Sequence, residues 1–197
     1  EVARTDQVLG IAIEQFDLRD YDLIISSSHA VAHGVLTRAD QLHLSYTHSP
    51  MRYAWDLYHE YVETAGIGWG PLGLLKRASL HRLRQWDALA ARRVDVRVAN
   101  SHYIARRIEH VYGQSSTVIY PPVEVEAMDA TQQREDFYLV VSRLVPYKRV
   151  GAIVDAFNDL KLPLVVVGGG PMYKEICTKA GPSVTIKGEV NRPELLQ

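Results

Sequence analysis

The chain has 197 residues, 47% of them apolar, with 22 basic and 23 acidic side chains and a formal charge of −1. That length and apolar content suffice for one large or two small cores, and the near balance of charge excludes recognition of nucleic acid driven by overall charge. A single cysteine, Cys177, excludes an internal disulfide, points to a reducing, cytoplasmic setting, and reads as a small core residue.

Short apolar runs alternate with helical patterns along the whole chain, which implies an α/β fold with parallel sheets. Residues 21–28 (YDLIISSS) read as a buried strand and 29–37 as a helix stopped near Gly34. Residues 41–49 (QLHLSYTHS) form the second predicted strand, followed by an aromatic helix over 51–63 and a loop with four glycines, GIGWGPLG. A long basic amphipathic helix is predicted over 72–93, with Leu75, Leu83, Trp86 and Leu89 on its apolar side and its arginines solvated. Residues 94–101 are a third strand, 102–113 a helix closed by Gly113, and 116–122 a fourth strand.

The pattern then breaks. Residues 121–136 open on two prolines and show no periodicity, as a linker does. Strands are predicted over 137–143, 161–170 and 183–190, with helices over 146–160 and 171–181 between them. Three segments follow: a first domain over 1–122, a linker over 123–136 and a second domain over 137–197. The last residues, NRPELLQ, read as the start of a helix capped by Asn191, and both domains are expected to be incomplete.

Ligands of open parallel sheets bind outside the carboxyl ends of the strands. The residues there are Ser26 to His29, His48 to Pro50, Asn100 and Ser101, Ser142 and Arg143, Gly168 to Gly170, and Gly188 to Val190. Loop caps and turns account for most of the serines and glycines but not for Arg143. Arg143 and Lys148 put two cations where a helix begins, the end that favours anions, so an anion between them would relieve the conflict; a diphosphate fits both side chains.

Other patterns are weaker. The run GGGP at 168–171 lets a backbone come close to a ligand, Gly169 included, but matches neither the dinucleotide nor the P-loop glycine pattern. His29 and His33 are four apart without a third ligand, and Asp20 and Asp22 precede their strand, so metal-independent chemistry is expected. His48 ends a strand beside Pro50 and can donate a hydrogen bond near neutral pH. Residues Arg106 and Arg107 read as solvated, and the basic helix over 72–93 also suits peripheral contact with an anionic membrane.

Taken together, DLIISSSHAVAHGV, the stretch 48–56, VANSHYIARRIEHVYG, VIYPPVE and SRLVPYKR with VVVGGGP resemble retaining glycosyltransferases of family 4. The resemblance is nearest to mannosyltransferases of bacterial or archaeal polysaccharide assembly. It implies a GT-B architecture of two Rossmann-like domains joined by a hinge, and transfer of mannose from GDP-mannose to a glycan or lipid-linked acceptor without a cofactor. By the same resemblance Arg143 and Lys148 clamp the donor diphosphate, His48 is the catalytic contact to the sugar or its phosphate, and Gly188 to Val190 face the base. Two motifs of the family are missing: its glycine-rich loop after the first strand, and its E-x7-E pair, which Glu189 and Glu194 do not match. Turnover by these 197 residues alone is therefore not expected. The alternatives are a non-catalytic nucleotide-binding module and another GT-B nucleotide-sugar enzyme such as an epimerase.

Overall fold

A computed structural model describes residues 2–125 and 135–191. The chain divides into two units, Glu1–Pro122 and Val123–Gln197. Most of the predicted linker, and the predicted helix after Asn191 with Glu194, lie outside the described residues.

The first unit begins with helix α1 (Val2–Ile13), for which the sequence reading made no prediction. Strands β1 (Leu23–Ser28), β2 (Leu42–Thr47), β3 (Val96–Ala99) and β4 (Thr117–Val118) form one parallel sheet in the order β1-β2-β3-β4. Between β2 and β3 run α2 (Tyr58–Thr64) and α3 (Pro71–Ala91), and α4 (His102–Tyr112) joins β3 to β4. The local chemistry of α4 is plain. Ser101 accepts from the Ile104 amide at its start, Gly113 closes it at φ 66°, and Ile104 and Ile108 face inward against Ala99.

Two predicted helices of this unit shrink. Residues 29–37 form only a 3-10 turn at Ala32–Gly34, because the Ser28 hydroxyl takes up both the amide and the Nδ1 of His33. Gly34 serves as a seat for Trp86: a Cβ there would lie 2.4 Å from the indole. The second helix begins at Tyr58 instead of residue 51, since Met51 and Ala54 are buried in a run of turns after Pro50. The fourth strand is reduced to two residues.

The covered face of the first sheet is polar. Ser26, Ser28, His43, Ser45, Thr47 and Arg97 are buried there, over Asp87 of α3 at 0% exposure. The Asp87 carboxylate accepts from Trp55 Nε1 (2.7 Å) and the Tyr112 hydroxyl (3.0 Å), and lies 3.3 Å from His33 Nε2. Burial, and then this carboxylate, push the Tyr112 hydroxyl well above its ordinary value. Arg97 donates to Thr47, Gln114 and the Ala91 carbonyl, and stacks over Tyr112. The opposite face is apolar, with Leu23, Ile25, Leu42 and Val96 exposed.

In the second unit β5 (Tyr138–Val141), β6 (Leu164–Val167) and β7 (Val184–Gly188) make a parallel sheet in the order β5-β6-β7, with α5 (Val150–Leu160) and α6 (Tyr173–Lys179) as connections. Its core is Leu144, Val150, Val154, Leu164, Val166, Ile176 and Val184. Cys177 is exposed, contrary to expectation, because the seven-residue α6 turns Ile176 inward and its neighbour outward. The helix predicted from Pro146 is also split: Pro146–Lys148 is a separate 3-10 turn, Arg149 is left-handed at φ 52°, and α5 starts at Val150.

Two measurements test the polar core. Asp87→Ala strands Trp55 and Tyr112 under the sheet and is expected to lower stability by about 3–5 kcal/mol in urea unfolding, as removal of one partner from a buried charged network does. Burial holds the His43 imidazole down from 6.5 to about 4. Its Nδ1 is buried without a partner among the described residues, so protonation would leave an orphan N–H. On acidification the unfolded chain takes this proton first, so stability is complete above 6.5 and falls as pH drops from 6.5 to about 4. Urea midpoints measured across that range should slope for the native chain and slope less for His43→Gln.

Candidate functional site

The carboxyl end of the first sheet is a shelf of side chains held in place. The His48 amide donates to the Ser28 carbonyl (2.7 Å), and the His48 carbonyl accepts from Asn100 Nδ2 (3.2 Å) at the end of β3. Its ring is exposed, with Nε2 2.9 Å from the Ser27 hydroxyl and the ring edge-on to Tyr46 at 5.2 Å. Ser27 therefore occupies one ring nitrogen, and Nδ1 is the one left for a ligand.

Arg107 completes this shelf, where its sequence suggests only a solvated arginine. Arg106 is exposed as expected, but the Arg107 side chain is only 11% exposed and donates to the Ser49 hydroxyl and the Asp56 carboxylate. That grip ties α4 to the turns after Pro50 and fixes the backbone beside His48. Partners 58 and 51 positions away leave no local trace; the one signal is that Ile104 and Ile108 turn inward, putting residue 107 near their edge.

Ser28, His33 and Asp87 have the residue types of a nucleophilic triad, with 3.0 Å from Ser28 Oγ to His33 Nδ1 and 3.3 Å from His33 Nε2 to Asp87. Ser28 is 1% exposed and His33 2%, so no substrate reaches them and the arrangement is structural. His29, its predicted companion, is exposed.

At the carboxyl end of the second sheet the surface is backbone instead. The Ser142 amide donates to the Val167 carbonyl (3.0 Å), Leu144 to Gly169 (2.8 Å) and Gly168 to Gly188 (2.7 Å). These contacts need glycine. Gly168 has φ 139° and a Cβ there would fall 1.9 Å from the Ser142 oxygen; at Gly170, φ 149°, it would fall 2.5 Å from that of Leu144. Chain packing thus explains Gly168 and Gly170 by itself. Gly169 differs, because what a Cβ would meet there is the Glu189 side chain, 2.3 Å from Oε1. Gly188 is buried with its carbonyl engaged, and Val190 is half-buried.

Arg143 and Lys148 are both exposed at this end, after β5 and in the 3-10 turn that precedes α5. Lys148 therefore lies before the helix and not inside its first turn. Its ammonium sits 5.7 Å from the Tyr147 ring, and neither cation has an ion-pair partner among the described residues. No group of three or more His, Cys, Asp or Glu among the described residues could hold a metal ion.

No protein-family model and no curated protein matches the chain. Among solved structures it is similar to a point mutant of TarM from Staphylococcus aureus in complex with fondaparinux, α-GlcNAc-glycerol and UDP. The likeness has a TM-score of 0.53 at 13% identity, over 80% of this chain and 30% of that one. TarM is a GT-B glycosyltransferase.

The fold is GT-B-like. Both units are Rossmann-like parallel-sheet layers, and in this fold the strand ends just described are where ligands are held. The chain spans less than a third of the length of that structure.

If Arg107 holds the His48 shelf as described, Arg107→Ala lowers the stability of the first unit by about 1–3 kcal/mol, the usual cost of losing hydrogen bonds to a charged group. Urea unfolding followed by circular dichroism measures it, and Arg106→Ala serves as the neutral control.

Proposed function

We propose that this chain is part of a retaining glycosyltransferase that moves a sugar from a nucleoside-diphosphate donor to a glycan or lipid-linked acceptor. The observation that carries the reading is the pair Arg143 and Lys148. Two exposed cations without ion-pair partners among the described residues stand at the carboxyl end of β5, in a sheet whose other two strand ends are glycine. Such a place favours an anion with several oxygens: guanidinium grips two of them and ammonium acts as a point charge. The GT-B-like fold supports the same class of ligand.

In the proposed reaction the bond from the anomeric carbon to the diphosphate oxygen breaks and its electron pair stays on the diphosphate. The acceptor hydroxyl oxygen bonds to that carbon and passes its proton to the departing diphosphate. Negative charge on the leaving group rises toward the transition state, so fixed cations at the diphosphate lower the barrier more than they tighten ground-state binding. Losing one such group typically costs about 3–4 kcal/mol of barrier. We assign Arg143 and Lys148 to the diphosphate, the backbone from Gly188 to Val190 to the base, Gly169 to the phosphate side, and His48 to the sugar. With Glu189 packed on Gly169, a phosphate reaching that glycine must first displace a carboxylate. The proposed donor is GDP-mannose, without a metal; the solved neighbour holds UDP, and the base is part of the test.

The test is calorimetric titration of the 197-residue chain with GDP, UDP and ADP, each with and without Mg²⁺. The expected result is metal-independent binding of GDP in preference to the others. Arg143→Ala and Lys148→Ala should each weaken it by roughly 10- to 100-fold, as loss of a charge-assisted hydrogen bond does. Preference for UDP would move the assignment to a different sugar nucleotide. Absence of binding in a folded chain, or binding indifferent to both variants, would remove Arg143 and Lys148 from the donor site.

A further inference from the structure

The basic helix buries only part of what its pattern suggested: Leu83 is buried and Trp86 half-buried. The inward face of α3 is Leu80, Leu83, Asp87, Ala90 and Ala91, while Leu75 and Leu89 are 63% and 59% exposed. Its arginines are not uniformly solvated either: Arg84 donates to the Ala54 carbonyl, and Arg93, just past the helix end, pairs with Glu14.

The first two turns of α3 and the glycine-rich loop before them form one apolar tip. Trp69 is 75% exposed, Leu72 77%, Leu74 51% and Leu75 63%. Four consecutive large apolar residues of the segment thus point to water, where ordinary surfaces show them singly. The loop that presents Trp69 is firmly built. Gly73 packs so closely on the Gly68 carbonyl that a Cβ would lie 2.0 Å from its oxygen. Arg77 donates to the carbonyls of Ile67 (2.8 Å) and Gly68 (3.4 Å) and stacks on the Trp69 ring at 4.1 Å.

Along the chain, the charge of this segment has one sign. Residues 66–86 contain no Asp or Glu but carry Lys76, Arg77, Arg82 and Arg84. Lys76 and Arg82 are exposed without an ion-pair partner among the described residues. Leu75 and Arg82 share one helical face, about 10 Å apart along the axis. Arg82 therefore follows the apolar end of the helix, while Lys76 stands beside Leu75 within it. The nearest carboxylates sit on α2, with Glu63 lining the same hollow as Trp69 and Arg77, and Glu60 exposed beside it.

We propose that this tip docks on an anionic lipid bilayer, with Trp69, Leu72, Leu74 and Leu75 in the interface and Lys76 and Arg82 against the headgroups. A Trp ring suits the interface, and basic side chains behind it are attracted by anionic lipid. No described helix is long and apolar enough to cross a membrane. The inference is independent of the sugar-transfer reading.

The test uses the 197-residue chain with phosphatidylcholine vesicles, with and without added phosphatidylglycerol, read by co-sedimentation and tryptophan emission. Trp55 and Trp86 are half-buried and hydrogen-bonded, so a shift to the blue reports Trp69. Expected are sedimentation with the anionic vesicles only, a blue shift absent in Trp69→Phe, and a loss of affinity on the order of tenfold or more for Lys76→Glu with Arg82→Glu. The tip residues are exposed, so Trp69→Ala with Leu72→Ala should keep the native circular dichroism and lose vesicle binding. Binding that survives this pair of changes would overturn the proposal. So would failure to bind either vesicle, or self-association in solution that the same changes abolish, which would assign the tip to a second copy of the chain.

Discussion

The packing of the first unit turns on a carboxylate shut off from bulk solvent. Asp87 is completely buried, and its charge is tolerated only because Trp55 and Tyr112 donate to it, with His33 alongside. Those partners come from the turns after β2, the end of α4 and the 3-10 turn after β1. One side chain of α3 thus fixes where three other segments lie. Arg97 answers it from the sheet, spending its donors on Thr47, Gln114 and Ala91, and burial lowers its proton affinity as it raises that of Tyr112. Helix and sheet meet through directed hydrogen bonds here, which fixes register more narrowly than apolar contact alone.

The two strand-end shelves are built by opposite means. In the first unit, side chains are locked to one another: Ser27 to His48, Asn100 to the His48 carbonyl, Arg107 to Ser49 and Asp56. In the second, the chain packs backbone on backbone, and the cations that stand there are free of ion-pair partners among the described residues. A locked histidine suits a task of orientation. Uncommitted cations suit a ligand that brings its own negative charge.

Much of this architecture was legible in the sequence, because the strands leave short apolar-rich runs that end in a polar or glycine residue, although β1, which reads as buried, leaves Leu23 and Ile25 exposed and buries its serines. The order of strands and helices and the strand-end positions of His48, Arg143 and Gly168 to Gly170 followed from that. What was illegible depended on partners distant in sequence. Periodicity over 29–37 suggested a helix, but the Ser28 hydroxyl competes for the His33 amide. The pattern over 146–160 gave no sign of the left-handed Arg149 that separates the turn from α5. Arg107 looked like any arginine beside another, and Leu75 and Leu89 looked like core because periodicity tells which residues share a face, not whether anything covers it.

The crowding at Gly168 and Gly170 also bears on how a protein of this kind could diversify. With strand β6 leaving its sheet directly beneath the Ser142 and Leu144 carbonyls, any side chain at either glycine would break the layer before it met a ligand. Variation there is closed by packing alone, so new preferences would have to be written on the flanks: in the residues after β7 or in the turn that carries Lys148. Such a site can change what it accepts while its floor stays the same, and kinship among distant relatives would then show in the floor long after it had faded from the walls.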